Sequence, residues 1–155
     1  MSLILDGVTR KVASETHIDD ISLTLEPGSF NVLLGRTLAG KTSLMRLMAG
    51  LDRPSSGRVL MNGADVTGVP VRQRNVSMVY QQFINYPTLT VFENIASPLR
   101  QAGMARELIA DKVESTARML RIDNLLSRYP LELSGGQQQR TAMARALVKD
   151  ASLIL

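Results

Sequence analysis

The sequence predicts an α/β fold, with a phosphate-loop core, an antiparallel β-layer ahead of the loop and a helical insert behind it. Three observations carry that expectation. The apolar run Phe30-Asn31-Val32-Leu33-Leu34 enters a glycine-bounded loop that opens into a helix pattern. Short apolar runs of strand type precede it, and in the middle third of the chain a helical period takes over.

In the β-layer, Leu3-Ile4-Leu5 and Ile21-Ser22-Leu23-Thr24-Leu25 read as short strands, and Glu26-Pro27-Gly28-Ser29 as the turn before the strand Phe30–Leu34. The loop that follows, Gly35-Arg36-Thr37-Leu38-Ala39-Gly40-Lys41-Thr42-Ser43, fits the pattern glycine, any four residues, Gly-Lys-Ser/Thr. A loop turning from a strand into a helix aims several backbone N–H groups at one anion, with the positive end of the helix dipole behind them. Gly35 and Gly40 allow the wrap, Lys41 reaches toward outer phosphates, and the Thr42 hydroxyl suits Mg²⁺. The loop therefore reads as a site for a nucleoside triphosphate.

The helix after the loop carries Leu44, Leu47, Met48 and Leu51 on one face and ends at Gly50. Arg58-Val59-Leu60-Met61 with Asn62-Gly63 predicts a strand entering a tight hairpin, and Val76-Ser77-Met78-Val79-Tyr80 a further strand with Gln81 at its end. Thr90 is placed to cap a helix from Val91 toward Gln101, with Pro98 predicting a kink or an early end. Ile109, Val113, Thr116, Ala117 and Leu120 keep a helical period from Arg106 to Leu120.

A second glycine-rich helix start follows at Leu133-Ser134-Gly135-Gly136-Gln137, leading into an alanine-rich helix former. It offers a hydroxyl and two unobstructed backbone positions to an anion, although an ordinary serine-capped helix would also look like this. The expected organisation is a core with its β-layer over about 1–80, a helical insert over about 81–135, and the second glycine-rich helix with the start of the next core strand over about 136–155.

Composition narrows the field. A chain of 155 residues is close to one domain. It has no cysteine and one histidine, His17, which exclude a disulfide framework, a thiolate metal site and a histidine cluster. The net charge of +4 comes from 18 basic and 14 acidic residues scattered without a run, so no basic stripe for nucleic acid is present. The apolar runs are far too short to span a bilayer, and the first residues lack the pattern of a signal peptide.

The phosphate loop at Gly35–Thr42, Gln81 after an apolar strand and Leu133-Ser134-Gly135-Gly136-Gln137, in that order and spacing, resemble the ATP-binding subunits of ABC transporters over essentially the whole chain. The segments Gly50–Gly57, Pro70–Val79 and Tyr86–Ile95 look like those of importers for sugars and polyols such as maltose or glycerol. The resemblance implies ATP and Mg²⁺ as cofactors. It implies a second ATPase subunit head to tail with this one, so that Ser134, Gly135, Gly136 and Gln137 meet the ATP held by the partner's phosphate loop. Gln81 would sense Mg²⁺ and the attacking water, with Thr42 and Gln81 on the metal. Gln81 to about Leu99 would touch a transmembrane permease, placing the subunit peripherally on the cytoplasmic face of the cell membrane.

Departures from the family pattern carry their own expectations. Leu38 stands where the family has a glycine, and Ala39 where it has a serine. The aromatic residue that stacks on adenine falls at Val12, which has no ring and so little to distinguish ATP from GTP. The sequence reaches Leu155 within the strand that bears the Mg²⁺ aspartate and catalytic glutamate in the family, so neither is in the chain. The chain then reads as the N-terminal part of a longer, hydrolysing subunit, truncated before the end of that strand and inactive alone. Two alternatives are a non-catalytic nucleotide-binding fragment and a soluble ABC ATPase of DNA repair or translation.

Overall fold

A computed structural model describes all residues, 1–155, and divides them into two compact units, 1–76 together with Leu155, and 77–154. In the first unit β1 (Leu3–Val12) and β2 (Glu15–Leu25) form an antiparallel hairpin, with Leu3 opposite Leu25 and Val12 opposite Glu15. On its other edge β1 pairs antiparallel with β3 (Ser56–Met61), which turns through Asn62-Gly63 into the short β4 (Ala64–Asp65). The sheet order is β2-β1-β3-β4. Asn62 and Gly63 both adopt positive φ, 51° and 80°, as the predicted tight hairpin requires.

The β1–β2 hairpin extends well beyond the predicted runs. Its outer half, Thr9 to Asp20, is largely exposed and polar. The backbone ladder sustains it there without an apolar face, so no period-2 signal marks it.

α1 (Lys41–Ala49) buries Leu44, Leu47, Met48 and Ala49 and stops at Gly50, whose φ of 77° places it in the left-handed region. Its last turn is held from two sides. The Arg46 guanidinium makes paired 2.9 Å hydrogen bonds to Asp52, and these hold the Asp52 carboxyl below the usual carboxylate range. Arg74, only 6% exposed, donates from Nη1 to Met48 O at 3.1 Å and from Nε to Val69 O at 2.9 Å, and from Nη2 to Val66 O. A Cβ at Gly50 would lie 2.4 Å from this guanidinium, so the helix ends on glycine where the arginine needs the space. Arg74 thus sets a positive charge at the negative end of the α1 dipole.

Two predicted strands are corrected. Phe30–Leu34 has no strand assignment, and Phe30 and Leu34 are 92% and 86% exposed. No neighbouring strand in the structure offers it a ladder, and apolar character alone cannot make an isolated strand. The run predicted over Val76–Tyr80 shortens to β5 (Val76–Ser77), at which the two units divide. Its partner β6 (Leu153–Ile154) is equally short, so only two residues find ladder positions.

The second unit is helical. α2 (Val91–Gln101), α3 (Arg106–Met119) and α4 (Gly135–Leu147) enclose a core of Val91, Ile95, Leu99, Ile109, Val113 and Ala144, with Ile122 and Leu125 from the connections. Thr90 caps α2 in a reciprocal box with Glu93, accepting Glu93 N at 3.2 Å while Glu93 Oε2 accepts Thr90 N at 2.9 Å. Pro98 does not end the helix as expected. Proline removes the donor that would satisfy the Asn94 carbonyl, and the Ser97 hydroxyl donates to that carbonyl instead at 2.8 Å.

Replacing Arg74 by methionine keeps the volume but leaves buried carbonyls of α1 and of the 66–69 segment unpaired. The expected loss is about 2–4 kcal/mol in urea unfolding, with Arg74→Lys intermediate.

Candidate functional site

The phosphate loop lies in the first unit. The turn Ala39 N to Arg36 O, at 3.2 Å, folds it back on itself, and Gly40 takes the N-cap of α1 at φ 80°, ψ 6°. The left-handed conformation suits glycine, and a second constraint coincides with it. A Cβ on Gly40 would stand 2.7 Å from His17 O and 2.8 Å from Ile18 Cδ1 of β2, so the β-layer backs the loop at this point. The sequence reading missed that support, since His17 and Ile18 carry no motif.

Lys41 folds over the loop, and its Nζ donates to Gly35 O and Arg36 O, both at 2.7 Å. The ammonium thereby closes a ring from the loop's start to the first turn of α1. Arg36, Thr37, Leu38 and Ala39 are exposed on its rim, and the first turn of α1 carries no acidic residue that would repel an anion. The donor set fits phosphate: free N–H groups at a helix start, a lysine beside them and no carboxylate. Thr42 is exposed on that turn, and no group of three or more His, Cys, Asp or Glu side chains forms a metal cage. A hydroxyl there suits Mg²⁺, which takes few protein ligands and binds largely through phosphate oxygens and water.

Leu38 is 98% exposed and adopts φ 67°. Its bulk was legible in the sequence, but the left-handed backbone at that position was not. Val12, 43% exposed, ends β1 beside the Ala13-Ser14 turn.

Gln81, Gly135 and Gly136 belong to the second unit. Gln81 is exposed, four residues beyond β5. Ser134 caps α4 reciprocally, with its N–H donating to Gln137 Oε1 at 2.9 Å and its hydroxyl accepting from Gln137 N at 3.4 Å. Gly135 and Gly136 occupy the first helical positions without positive φ. A Cβ on Gly136 would meet nothing within 4 Å, and one on Gly135 only the Phe83 ring at 4.0 Å. Neither the backbone nor internal packing calls for these glycines, which each cost about 1 kcal/mol of helix propensity relative to alanine. They leave the helix start open to close approach from outside the chain.

A family model described as ABC transporter matches residues 18–155, nearly the whole chain. The chain belongs to the ABC transporter family. It is 42% identical over 154 residues to the Fe(3+) ions import ATP-binding protein FbpC of Brucella abortus (strain 2308), covering 99% of this chain and 44% of that protein. It is also 42% identical over 153 residues to the spermidine/putrescine import ATP-binding protein PotA of Nitrosospira multiformis, covering 99% and 42%. The chain therefore spans less than half the length of these curated relatives. Among solved structures it resembles the dimeric ATP-binding cassette MJ0796 in a post-hydrolysis state bound to ADP and Pi. The TM-score is 0.87 at 28% identity, over 98% of this chain and 72% of that one. The fold is that of the ABC cassettes, a mixed α/β architecture with an antiparallel sheet.

Replacing Leu38 by glycine removes a left-handed non-glycine residue, a strain of about 1 kcal/mol, from the rim of the loop. Urea unfolding is expected to show a gain of up to about 1 kcal/mol, the relieved strain less the freedom that glycine adds to the unfolded chain; a clear loss would mean that the left-handed backbone is unstrained at Leu38.

Proposed function

We propose that the whole protein, of which this chain carries the phosphate loop and the signature helix, binds ATP and hydrolyses it to drive import of a small solute through a membrane permease. The observation that carries this reading is the pair of glycine-opened helix starts, at Gly40-Lys41 and at Ser134-Gly135-Gly136. One has a lysine folded over it, and the other has two glycines that nothing within the chain explains.

In this reading the N–H groups of Gly40, Lys41, Thr42 and Ser43 hold the β- and γ-phosphates, and Lys41 exchanges Gly35 O and Arg36 O for phosphate oxygens. Thr42 would hold Mg²⁺ through its hydroxyl, and Gln81 would sense the metal and the attacking water. When bound, Mg²⁺ supplies charge neutralisation on the phosphate oxygens. Ser134, Gly135, Gly136 and Gln137 meet the nucleotide of a second subunit, so that two chains close head to tail. The segment from Gln81 to about Leu99, with exposed Phe83 and Ile84, docks on a helix of the permease at the cytoplasmic face of the membrane. Closure on ATP would shift the permease because ATP binds the closed pair better than the open one.

Two solute classes remain in view. The segments around Gly50–Gly57 and Tyr86–Ile95 favour a sugar or polyol, whereas the relatives named above, by their names, import Fe(3+) ions and spermidine or putrescine. Identity of 42% along almost all of this chain gives the cationic solutes the better support. Uptake of labelled Fe(3+), spermidine and maltose into vesicles bearing the assembled transporter separates them, and co-purification with nucleic acid in place of a permease would overturn the import reading.

Lys41→Ala in the full-length protein is expected to weaken ATP binding at least tenfold and to abolish hydrolysis, with unfolding unaffected; unchanged affinity would remove the phosphate-loop assignment. Val12→Tyr is expected to tighten ATP by about two- to fivefold in a fluorescence titration, and an unchanged dissociation constant would exclude Val12 from the base site.

A further inference from the structure

The segment carrying Phe83 to Tyr86 is not a free loop, because it lies along α4. Phe83 Cε2 stands 4.0 Å from where a Cβ on Gly135 would be, and Asn85 Nδ2 donates to Gln138 O at 3.0 Å. Arg145, two turns further along, places its guanidinium carbon 4.9 Å from the centroid of the Tyr86 ring. Positions 135, 138 and 145 follow the spacing of one helix face. The far end of the segment is held by Asn94 of α2, which is fully buried. Its Oδ1 accepts Tyr86 N at 2.7 Å, and its Nδ2 donates to Tyr86 O at 3.0 Å and to Leu89 O at 2.9 Å.

Two polar atoms in this seat are unsatisfied. Asn85 Oδ1 and Arg145 Nη1 are buried with no hydrogen-bond partner.

We propose that Arg145 and Asn94 are positioning residues that mount segment 83–86 on the signature helix, so that a permease helix pressing on Phe83 and Ile84 shifts α4 and its glycine-opened start together. The inference rests on the permease docking proposed above and names the side chains that would transmit it. Asn94 fixes the end of the segment, Asn85 fixes its height on the helix, and the Tyr86–Arg145 stack carries displacement to the third turn. A partner displacing the segment then works against α4 through these contacts rather than through loop backbone alone.

The test uses the full-length subunit assembled with its permease in proteoliposomes, comparing ATP hydrolysis with that of the subunit free of permease. Tyr86→Leu and Arg145→Met are each expected to lower the permease-dependent stimulation by about two- to fivefold, the range a partly exposed cation–π pair supports. Combined, they should do no more than the stronger single change, while Tyr86→Phe and Arg145→Lys restore stimulation. ATP affinity of the free subunit should be unchanged in Arg145→Met, which a general loss of folding would not allow. Tyr86 is half exposed, so Tyr86→Leu still decides the matter if Arg145→Met does not fold. Full stimulation in either single variant, or losses that multiply in the double, overturn the link and leave docking intact. An unmodified subunit whose hydrolysis no permease stimulates overturns the docking reading and the link with it.

Discussion

The first turn of an α-helix leaves N–H groups that the helix itself cannot satisfy, and the candidate sites of this chain are built on that constraint. α1 and α4 meet it differently. At α1 the chain wraps a loop over the helix start and folds Lys41 back onto two of the loop's own carbonyls, which stores a cation beside the unsatisfied donors. At α4 a serine satisfies one donor locally, and two glycines keep the approach to the others clear of side chains. The first arrangement holds its charge in place; the second leaves the helix start uncrowded.

Much of the local structure was legible in the sequence because it depends on residue type at fixed spacing. The turn into α1 at Gly40, the Thr90 cap, the stop at Gly50 and the Asn62-Gly63 turn are local signals, and each appears where its residues place it. What escaped was non-local or side-chain specific. Asn94 sits on the buried face of α2 between Val91 and Ile95, where helical period asks for an apolar residue; only its contacts explain it. Nothing in the residues around Arg74 signals its role, yet it closes the end of a helix more than twenty residues earlier. The rescue of Pro98 by Ser97 was readable in principle, since a serine one residue before a proline can supply the lost donor.

Strand prediction failed for a different reason. The run Phe30–Leu34 has the composition of a buried strand, but strands exist through their neighbours. The β1–β2 hairpin shows the converse, a long ladder in which half the residues are polar and exposed. Composition reported which segments are apolar, and pairing decided which of them are strands.

The seat of Arg74 has a consequence for how this region tolerates change. Burial draws its pKa down, yet a guanidinium starts so far above neutrality that it keeps its proton throughout the range in which proteins work. An ammonium in the same surroundings would be neutralised far more readily, since buried lysines lose their charge easily. The fork of the guanidinium also serves carbonyls in two directions, toward Met48 and toward Val66 and Val69, which a single point charge cannot match. The far end of the helix that opens at the phosphate loop is therefore fastened by a rivet indifferent to acidity, and evolutionary drift from arginine to lysine there would trade that indifference for a titratable joint.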